Sequence, residues 1–116
     1  MENENNILGN NIRREREKRG LSLIDVAEVI GVTANYIGLV ERGRRGIMPP
    51  KLIILAESFE ITIDELLRGT PQEEETDPDG IGGRRAALKT LAYNLDENQL
   101  NFVITIIKEL KKGVAF

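Results

Sequence analysis

Residues 21–46 read LSLIDVAEVIGVTANYIGLVERGRRG and contain two short apolar segments separated by a glycine. Ser22 and Thr33 each precede one of these segments, and both residue types are preferred as helix N-caps. Gly31 lies between the segments and can adopt the positive φ that a tight turn between helices requires. Gly43 follows the second segment, as a helix C-terminal glycine does. The stretch therefore predicts two helices joined by a tight turn.

The apolar residues of this stretch repeat at the spacing of a helix face. We predict helices over residues 22–30 and 34–42, and Ala27 is the small residue that lets them pack closely. The side chains expected to face inward are those of Val26, Ile30, Val32, Ile37 and Val40. These positions predict a close contact between the two helices.

Three further helices are predicted around this pair, and no stretch alternates apolar and polar residues long enough for a strand. The first covers residues 8–19, and the fourth starts at Pro49–Pro50, where a missing N–H costs nothing. The fourth helix is expected to bury Leu52, Ile53, Leu55 and Ala56. The fifth begins with a capping box, Thr62–Glu65, and ends near Gly69. The predicted fold class is all-α, with five helices over residues 1–69.

The chain changes character after residue 69. Residues 70–83, TPQEEETDPDGIGG, are rich in acids, Pro and Gly, and hold too few apolar residues to offset the entropy of ordering them. We therefore predict an acidic linker over 70–83 and a helical tail over 84–116. In the tail, a short helix over 84–93 precedes a longer one that starts with a capping box at Asp96 and ends at Lys112.

The last predicted helix carries more apolar surface than a lone solvated helix tolerates. One stripe consists of Leu100, Val103, Ile107 and Leu110, and a second of Phe102 and Ile106. The helix either folds back on the N-terminal domain or pairs with the same helix of a second chain, and we favour the homodimer. The preceding segment is expected to add Leu88, Leu91 and Leu95 to this interface. The stripe lasts about two heptads, which is too short for a coiled coil.

The chain contains no cysteine and no histidine. Disulfides, Cys/His zinc sites and catalytic schemes that use these side chains are therefore excluded. The carboxylate pairs Asp64–Glu65 and Glu73–Glu74 lie at a helix start and in the linker, where capping and solvation account for them. The segments GRRG and GIGG lack the strand and the lysine of a phosphate-binding loop. We predict a protein that is not an enzyme, with no catalytic residue, no metal site and no cofactor.

The net charge of −3 and the pI near 5.1 argue against nucleic acid as a partner. The charges are unevenly placed, however, because Arg42, Arg44 and Arg45 lie together while the acids Glu73, Glu74, Glu75, Asp77 and Asp79 lie in the linker. A mildly acidic chain can therefore carry a basic face. No apolar run of about 18 residues and no basic-then-apolar N-terminus is present, so we expect a cytoplasmic protein without a membrane segment.

The order of motifs over residues 7–67 resembles the phage-repressor-like (Cro/CI-type, XRE) helix-turn-helix family of transcriptional regulators. The matching elements are IRREREKRG in the first helix, the LS start of the second, Ala27, Gly31, Tyr36–Ile37, VERG and TIDELL. The resemblance implies a five-helix lambda-repressor-like domain whose third helix docks in the major groove of double-stranded DNA. It also implies a structural ion pair between Arg16 and Glu41.

The same resemblance implies which residues contact DNA. The third helix is expected to present Thr33, Ala34, Asn35, Gly38 and Leu39 to base edges or phosphates, and Asn35 can pair with an adenine edge. The start of the second helix, at Ser22 and Leu23, is expected near phosphate. Along the backbone we expect Arg42, Arg44 and Arg45. Tyr36 either reaches a phosphate or packs against the domain.

The sequence departs from the family pattern at three positions. Leu23 stands where glutamine is common, and Gly38 and Leu39 stand where polar readers are common. Specificity would then come from thymine methyl contacts or from DNA shape, and the same departures fit a domain that has lost strong DNA binding. We favour a dimeric, sequence-specific repressor of an approximately palindromic operator. The alternative is a protein-interaction module, such as an antitoxin or anti-regulator.

Overall fold

A computed structural model describes residues 4–69 and 80–113 of the chain. Within these ranges the structure consists of α-helices, turns and connecting segments, which confirms the predicted all-α fold class. The helices are α1 (Glu4–Lys18), α2 (Leu23–Ile30), α3 (Ala34–Glu41), α4 (Pro49–Phe59), α5 (Ile63–Arg68), α6 (Ile81–Ala92) and α7 (Glu97–Lys111).

Helix starts lie where the N-cap residues predict them. Ser22 forms a capping box with Asp25 at the start of α2, and Thr33 accepts a hydrogen bond from the Tyr36 backbone N–H at the start of α3. Capping boxes also open α5 and α7. Gly31, which ends α2, has a φ of 71°, so this turn has the left-handed conformation that its sequence predicts.

Helix α1 begins four residues earlier than predicted, at Glu4. Its first turn is packed against the loop that follows α3, where the Asn6 side-chain oxygen lies 1.7 Å from the position that a Cβ on Gly43 would occupy. The glycine thus leaves room for the start of α1. This support comes from a residue 37 positions away, so the local pattern of α1 did not reveal it.

The core lies between α1 and the faces of α2 to α5 that point towards it. Its buried apolar side chains are those of Leu8, Ile12, Leu21, Val26, Ala27, Val29, Ile30, Ile37, Val40, Leu55, Ala56, Phe59 and Leu66. The prediction that Ile53 is buried is wrong, because it is 42% exposed. The inner face of α4 is instead completed by Phe59, which lies four residues after Leu55 on the same side of the helix.

Two buried polar groups hold α1 to the end of the domain. Arg19 donates to the backbone oxygen of Phe59, forms a buried ion pair with Glu15 at 3.0 Å, and stacks 4.6 Å above the Phe59 ring. Asn11 donates from its amide to the backbone oxygen of Leu66 at 2.9 Å. No local sequence pattern predicts these contacts.

The predicted linker boundary at residue 83 is too late. Gly80 is the N-cap of α6, so Ile81 and the two glycines after it are helical. Thr90 on α6 is fully buried, and its hydroxyl donates to the backbone oxygen of Ser58 on α4 at 3.0 Å. Helix α6 therefore belongs to the packing of the N-terminal domain, although the composition of residues 80–83 resembles that of the linker.

Helix α7 has no buried residue. The described part of its own chain therefore covers its apolar side chains at most in part. Within residues 4–69 and 80–113, no single helix is both long and apolar enough to cross a membrane; the consecutive pair α2 and α3 passes only on combined length and composition, and it is bent by 105°.

Candidate nucleic-acid interface

The outer side of α3 is open to solvent. Ile37 and Val40 are fully buried and fix the inner side of the helix against the core. On the outer side Thr33 and Asn35 are exposed, and Leu39 is half-buried. A short helix held by its inner face in this way can present its other face to a partner.

The first turn of α3 presents polar groups. The Thr33 hydroxyl oxygen accepts from the backbone N–H of Tyr36 at 3.1 Å, so its own proton is not needed for the cap. Asn35 lies in the same turn with its side chain exposed, and Ala34 beside it is half-buried. These groups comprise one amide, one hydroxyl and one methyl, each of a kind that base edges or phosphates can contact.

Gly38 is predicted to be presented on the outer side of α3, but the structure does not place it there. It is buried, and a guanidinium nitrogen of Arg42 lies 3.2 Å from the position that a Cβ on Gly38 would occupy. Because the two residues are four positions apart on α3 and its C-cap, the Arg42 side chain folds back along the helix. The group presented at this position is therefore the arginine, and Gly38 makes room for it.

The loop after α3 carries the other two arginines. Arg44 and Arg45 are both exposed. The loop is tied to α3 by the hydroxyl of Tyr36, which donates to the backbone oxygen of Gly46, and by the Arg44 backbone N–H, which donates to Leu39 at 2.9 Å. The side chain of Tyr36 thus acts within the domain, and it positions the basic loop beside α3.

Side chains of the protein itself already accept some of the backbone N–H groups at the start of α2. The Ser22 backbone N–H donates to the carboxylate of Asp25 at 2.9 Å, and the Asp25 backbone N–H donates to the Ser22 hydroxyl at 3.1 Å. Ser22 is exposed and Leu23 is half-buried. The amides of Leu23 and Ile24 have no partner in the helical ladder, since the first amides of a helix never do. A phosphate could approach these amides, but the negative charge of Asp25 would oppose it.

Arg16 and Glu41 form the ion pair that the resemblance implies. The guanidinium makes two hydrogen bonds to the carboxylate, at 2.7 and 2.9 Å, and a third to the backbone oxygen of Leu21 at 2.9 Å. The side chains are only 14% and 6% exposed. The hydrogen bond that Arg16 donates to Glu41 raises the pKa of Arg16 above its ordinary value. The pair joins α1 to the end of α3 and so fixes the tilt of α3.

The residues predicted for self-association lie on α6, on α7 and in the turn between them. Leu88 and Leu91 on α6 are exposed, and Leu95 in the turn is half-buried. On α7 the exposed residues are Leu100, Phe102, Ile106, Ile107 and Leu110, while Val103 is half-buried. The structure adds Ile104, which is 46% exposed and which the sequence reading omitted. The described residues contain no group of three or more acidic side chains placed to hold a metal ion.

Comparisons with known proteins give the following similarities. A helix-turn-helix family profile matches residues 12–66. Control protein C.SmaI from Serratia marcescens is 39% identical over 61 residues, which make up 53% of this chain and 73% of that protein. The HTH-type transcriptional regulator PrpR from Mycobacterium tuberculosis is 32% identical over 54 residues, but these make up only 11% of that protein. No solved structure gives a significant match.

The matched region begins within α1 and ends within α5. It contains the pair α2 and α3 with the glycine turn between them, and also Arg16 and Glu41. The profile match thus covers most of the five-helix domain and no part of α6 or α7. The chain belongs to the XRE-type, Cro/CI-like helix-turn-helix family of DNA-binding transcriptional regulators.

Proposed function

We propose that this protein is a sequence-specific regulator that binds an approximately palindromic operator as a dimer and represses transcription. The observation that carries the proposal is the exposure of the outer side of α3 together with the arginines at its C-terminal end. The inner faces of α1 and α3 pack against each other on the opposite side of α3. The outer face of α3 is therefore able to enter a major groove.

Only a few side chains of α3 are available to contact bases. The amide of Asn35 can make a bidentate contact to adenine, and Ala34 and Leu39 can contact thymine methyl groups. Thr33 has a hydroxyl proton available for a phosphate oxygen. With so few polar readers, we propose that part of the specificity comes from the shape and stiffness of the operator.

The arginines are expected to supply most of the affinity for DNA. Arg42, Arg44 and Arg45 are exposed at the end of α3 and in the loop that Tyr36 holds in place. Guanidinium groups at such positions neutralise phosphates and release counterions. A single recognition helix contacts few bases, so two copies that read half-sites about 34 Å apart would multiply both affinity and specificity.

The first experiment is a selection from random duplex DNA with the full chain, followed by binding measurements at several salt concentrations. We expect a two-fold symmetric site and a steep loss of affinity with salt. Arg44→Ala/Arg45→Ala should weaken all sequences alike and lower the salt slope by about 3.6, because the bound dimer loses four arginines and each phosphate contact contributes about 0.9 to the slope.

Asn35→Ala should instead relax the preference at one position of each half-site. The matched control is Arg13→Ala/Arg14→Ala, which removes the same charge from two adjacent exposed arginines on α1. It should leave slope and preference unchanged. Equal effects of the two arginine pairs would contradict a specific role for the loop.

A second candidate function is supported by one observation, the wide apolar surface of α7. Phe102 alone is 68% exposed. Such a surface also suits a protein partner, as in an antitoxin or an anti-regulator. Under this alternative the selection would enrich no DNA site, and a protein would copurify with the chain and be lost on Phe102→Asp.

A further inference from the structure

Helix α6 has two different faces. One face, with Gly83, Ala87 and Thr90, is packed against the DNA-binding domain. The face turned away from it carries Ile81 and Leu88, together with Leu91 at its edge, and these large apolar residues are exposed. Helical geometry places Ile81 and Leu88 more than a quarter turn from the packed residues, so both faces can be occupied at once.

The packed face is closely fitted. A Cβ on Gly83 would lie 2.7 Å from the backbone oxygen of Lys18 at the end of α1, so only glycine fits there. Thr90 is fully buried against α4. At the edges, Lys89 pairs with Glu60 at 3.0 Å, and Asn94 donates to the backbone oxygen of Glu28 at 3.2 Å. These contacts reach α1, α2 and α4, so they fix α6 in both position and direction.

Helix α7 also carries an unusually wide apolar surface. Seven apolar residues of α7, from Leu100 to Leu110, occupy more than half of its circumference at about 100° per residue. One partner helix covers a narrower stripe than this. Together with Ile81, Leu88 and Leu91, these side chains expose on the order of 900 Å², which is about what each partner of a standard-size interface buries.

The charges of α7 suit a second copy in the antiparallel direction. Glu97 lies in the first turn, and Lys108 and Lys111 lie in the last turn, on the same edge of the apolar surface. In an antiparallel pair the acid of one copy would face the lysines of the other. A parallel pair would bring the lysines of the two copies together.

We propose that α6 is the connector of the dimer: its packed face is part of the DNA-binding domain, and its free face joins α7 in a two-fold interface with a second copy. The inference rests on the dimeric regulator proposed above. It adds that the distance and angle between the two recognition helices are set by the packing of α6 at Gly83 and Thr90. The DNA-binding domain and the interface share one rigid helix.

The first test measures the geometry without DNA. The chain has no cysteine, so Asn10→Cys places a single spin label on the exposed side of α1 in each copy. We expect one narrow distance distribution between the two labels in the dimer. Gly83→Val should keep the dimer, as measured by sedimentation, but broaden this distribution at least twofold. A distribution that stays narrow, or a Gly83→Val protein that is monomeric, would overturn the connector role.

The second variant addresses the interface. Leu91→Asp should weaken dimerisation at least tenfold, whereas Arg13→Ala, exposed on α1, should leave it unchanged. Circular dichroism checks that both variants keep their helices. Dimerisation that Leu91→Asp does not weaken would contradict the proposed interface.

The third test uses DNA with two half-sites whose separation varies in steps of one base pair. The unmodified chain should prefer one separation by about tenfold or more. Gly83→Val should reduce this preference to about twofold while binding a single half-site normally. Absence of any DNA binding would refute the proposed function and leave the label distances to decide the connector role. An unaltered separation preference in Gly83→Val would refute the connector role alone.

Discussion

Arg16→Ala should destabilise the domain severely. The substitution leaves the carboxylate of Glu41, which is 6% exposed, without two hydrogen bonds, and it removes the donor to the backbone oxygen of Leu21. Stranding a buried charge in this way costs about 3–5 kcal/mol. That is a large fraction of the roughly 5–15 kcal/mol that stabilises a typical domain. For a domain of this size we expect Tm to fall by more than about 10 °C.

The measurement is urea unfolding followed by circular dichroism. Each variant is measured at the same protein concentration, because the stability of the proposed dimer would depend on concentration. Arg13→Ala is the matched control, since Arg13 lies one turn earlier on α1 and forms an exposed pair with Glu17. It should unfold like the unmodified chain. Arg16→Met/Glu41→Leu removes both charges and should recover most of the lost stability.

Three results would contradict this reasoning. An unchanged Tm for Arg16→Ala would show that the pair is not structural. A normal Tm together with a changed base preference in the DNA selection would place Arg16 in a DNA contact instead. A double variant less stable than Arg16→Ala would show that the pair does more than neutralise two buried charges.

Three further predictions test other contacts. Gly9→Ala should lower the free energy of unfolding by about 1–3 kcal/mol, because the added Cβ would lie 2.3 Å from the backbone oxygen of Val40 and must push α1 away from α3. Asn10→Ala is the control and should unfold like the unmodified chain. Tyr36→Phe should weaken DNA binding about fivefold, the equivalent of one hydrogen bond of about 1 kcal/mol, since the basic loop loses its tie to Gly46; equal fluorescence anisotropy titrations of both proteins would contradict this. The hydrogen bond to Glu57 raises the pKa of Tyr93. The contribution of this hydrogen bond to the free energy of unfolding should therefore be present below about pH 10 and disappear as the pH rises through the folded-state pKa of Tyr93. Unfolding of Tyr93→Phe, measured across the same pH range, should not show this pH dependence.

Local signals account for most of what the sequence could predict. The caps at Ser22, Thr33 and Thr62 join residues three positions apart, so the chain specifies them wherever it lies in space. Helical periodicity likewise identified the inward residues of α2 and α3, because a packed face repeats every 3.6 residues. The exposed polar residues of α3 follow from the same period.

The contacts that escaped prediction join distant segments. Arg19 meets Phe59, and Thr90 meets Ser58, across 40 and 32 positions respectively, and no local pattern encodes such pairs. Gly83 was assigned to the linker because composition cannot distinguish a flexible glycine from one that lets two backbones approach. One signal was available at Gly9, since a glycine inside an amphipathic helix costs stability and so indicates a close neighbour.

The acidic net charge and the basic loop can act together. Salt limits electrostatic interactions to about 10 Å, so a phosphate held at Arg44 and Arg45 responds to these arginines more than to acids elsewhere on the chain. Away from an operator the acidic remainder lowers the attraction between the protein and DNA as a whole. Under the proposed function, the basic loop should then contribute only where α3 fits the groove. An acidic protein of this kind should therefore owe part of its ratio of specific to non-specific DNA affinity to weak non-specific binding. Adding lysines far from α3 should reduce this ratio without changing the preferred site.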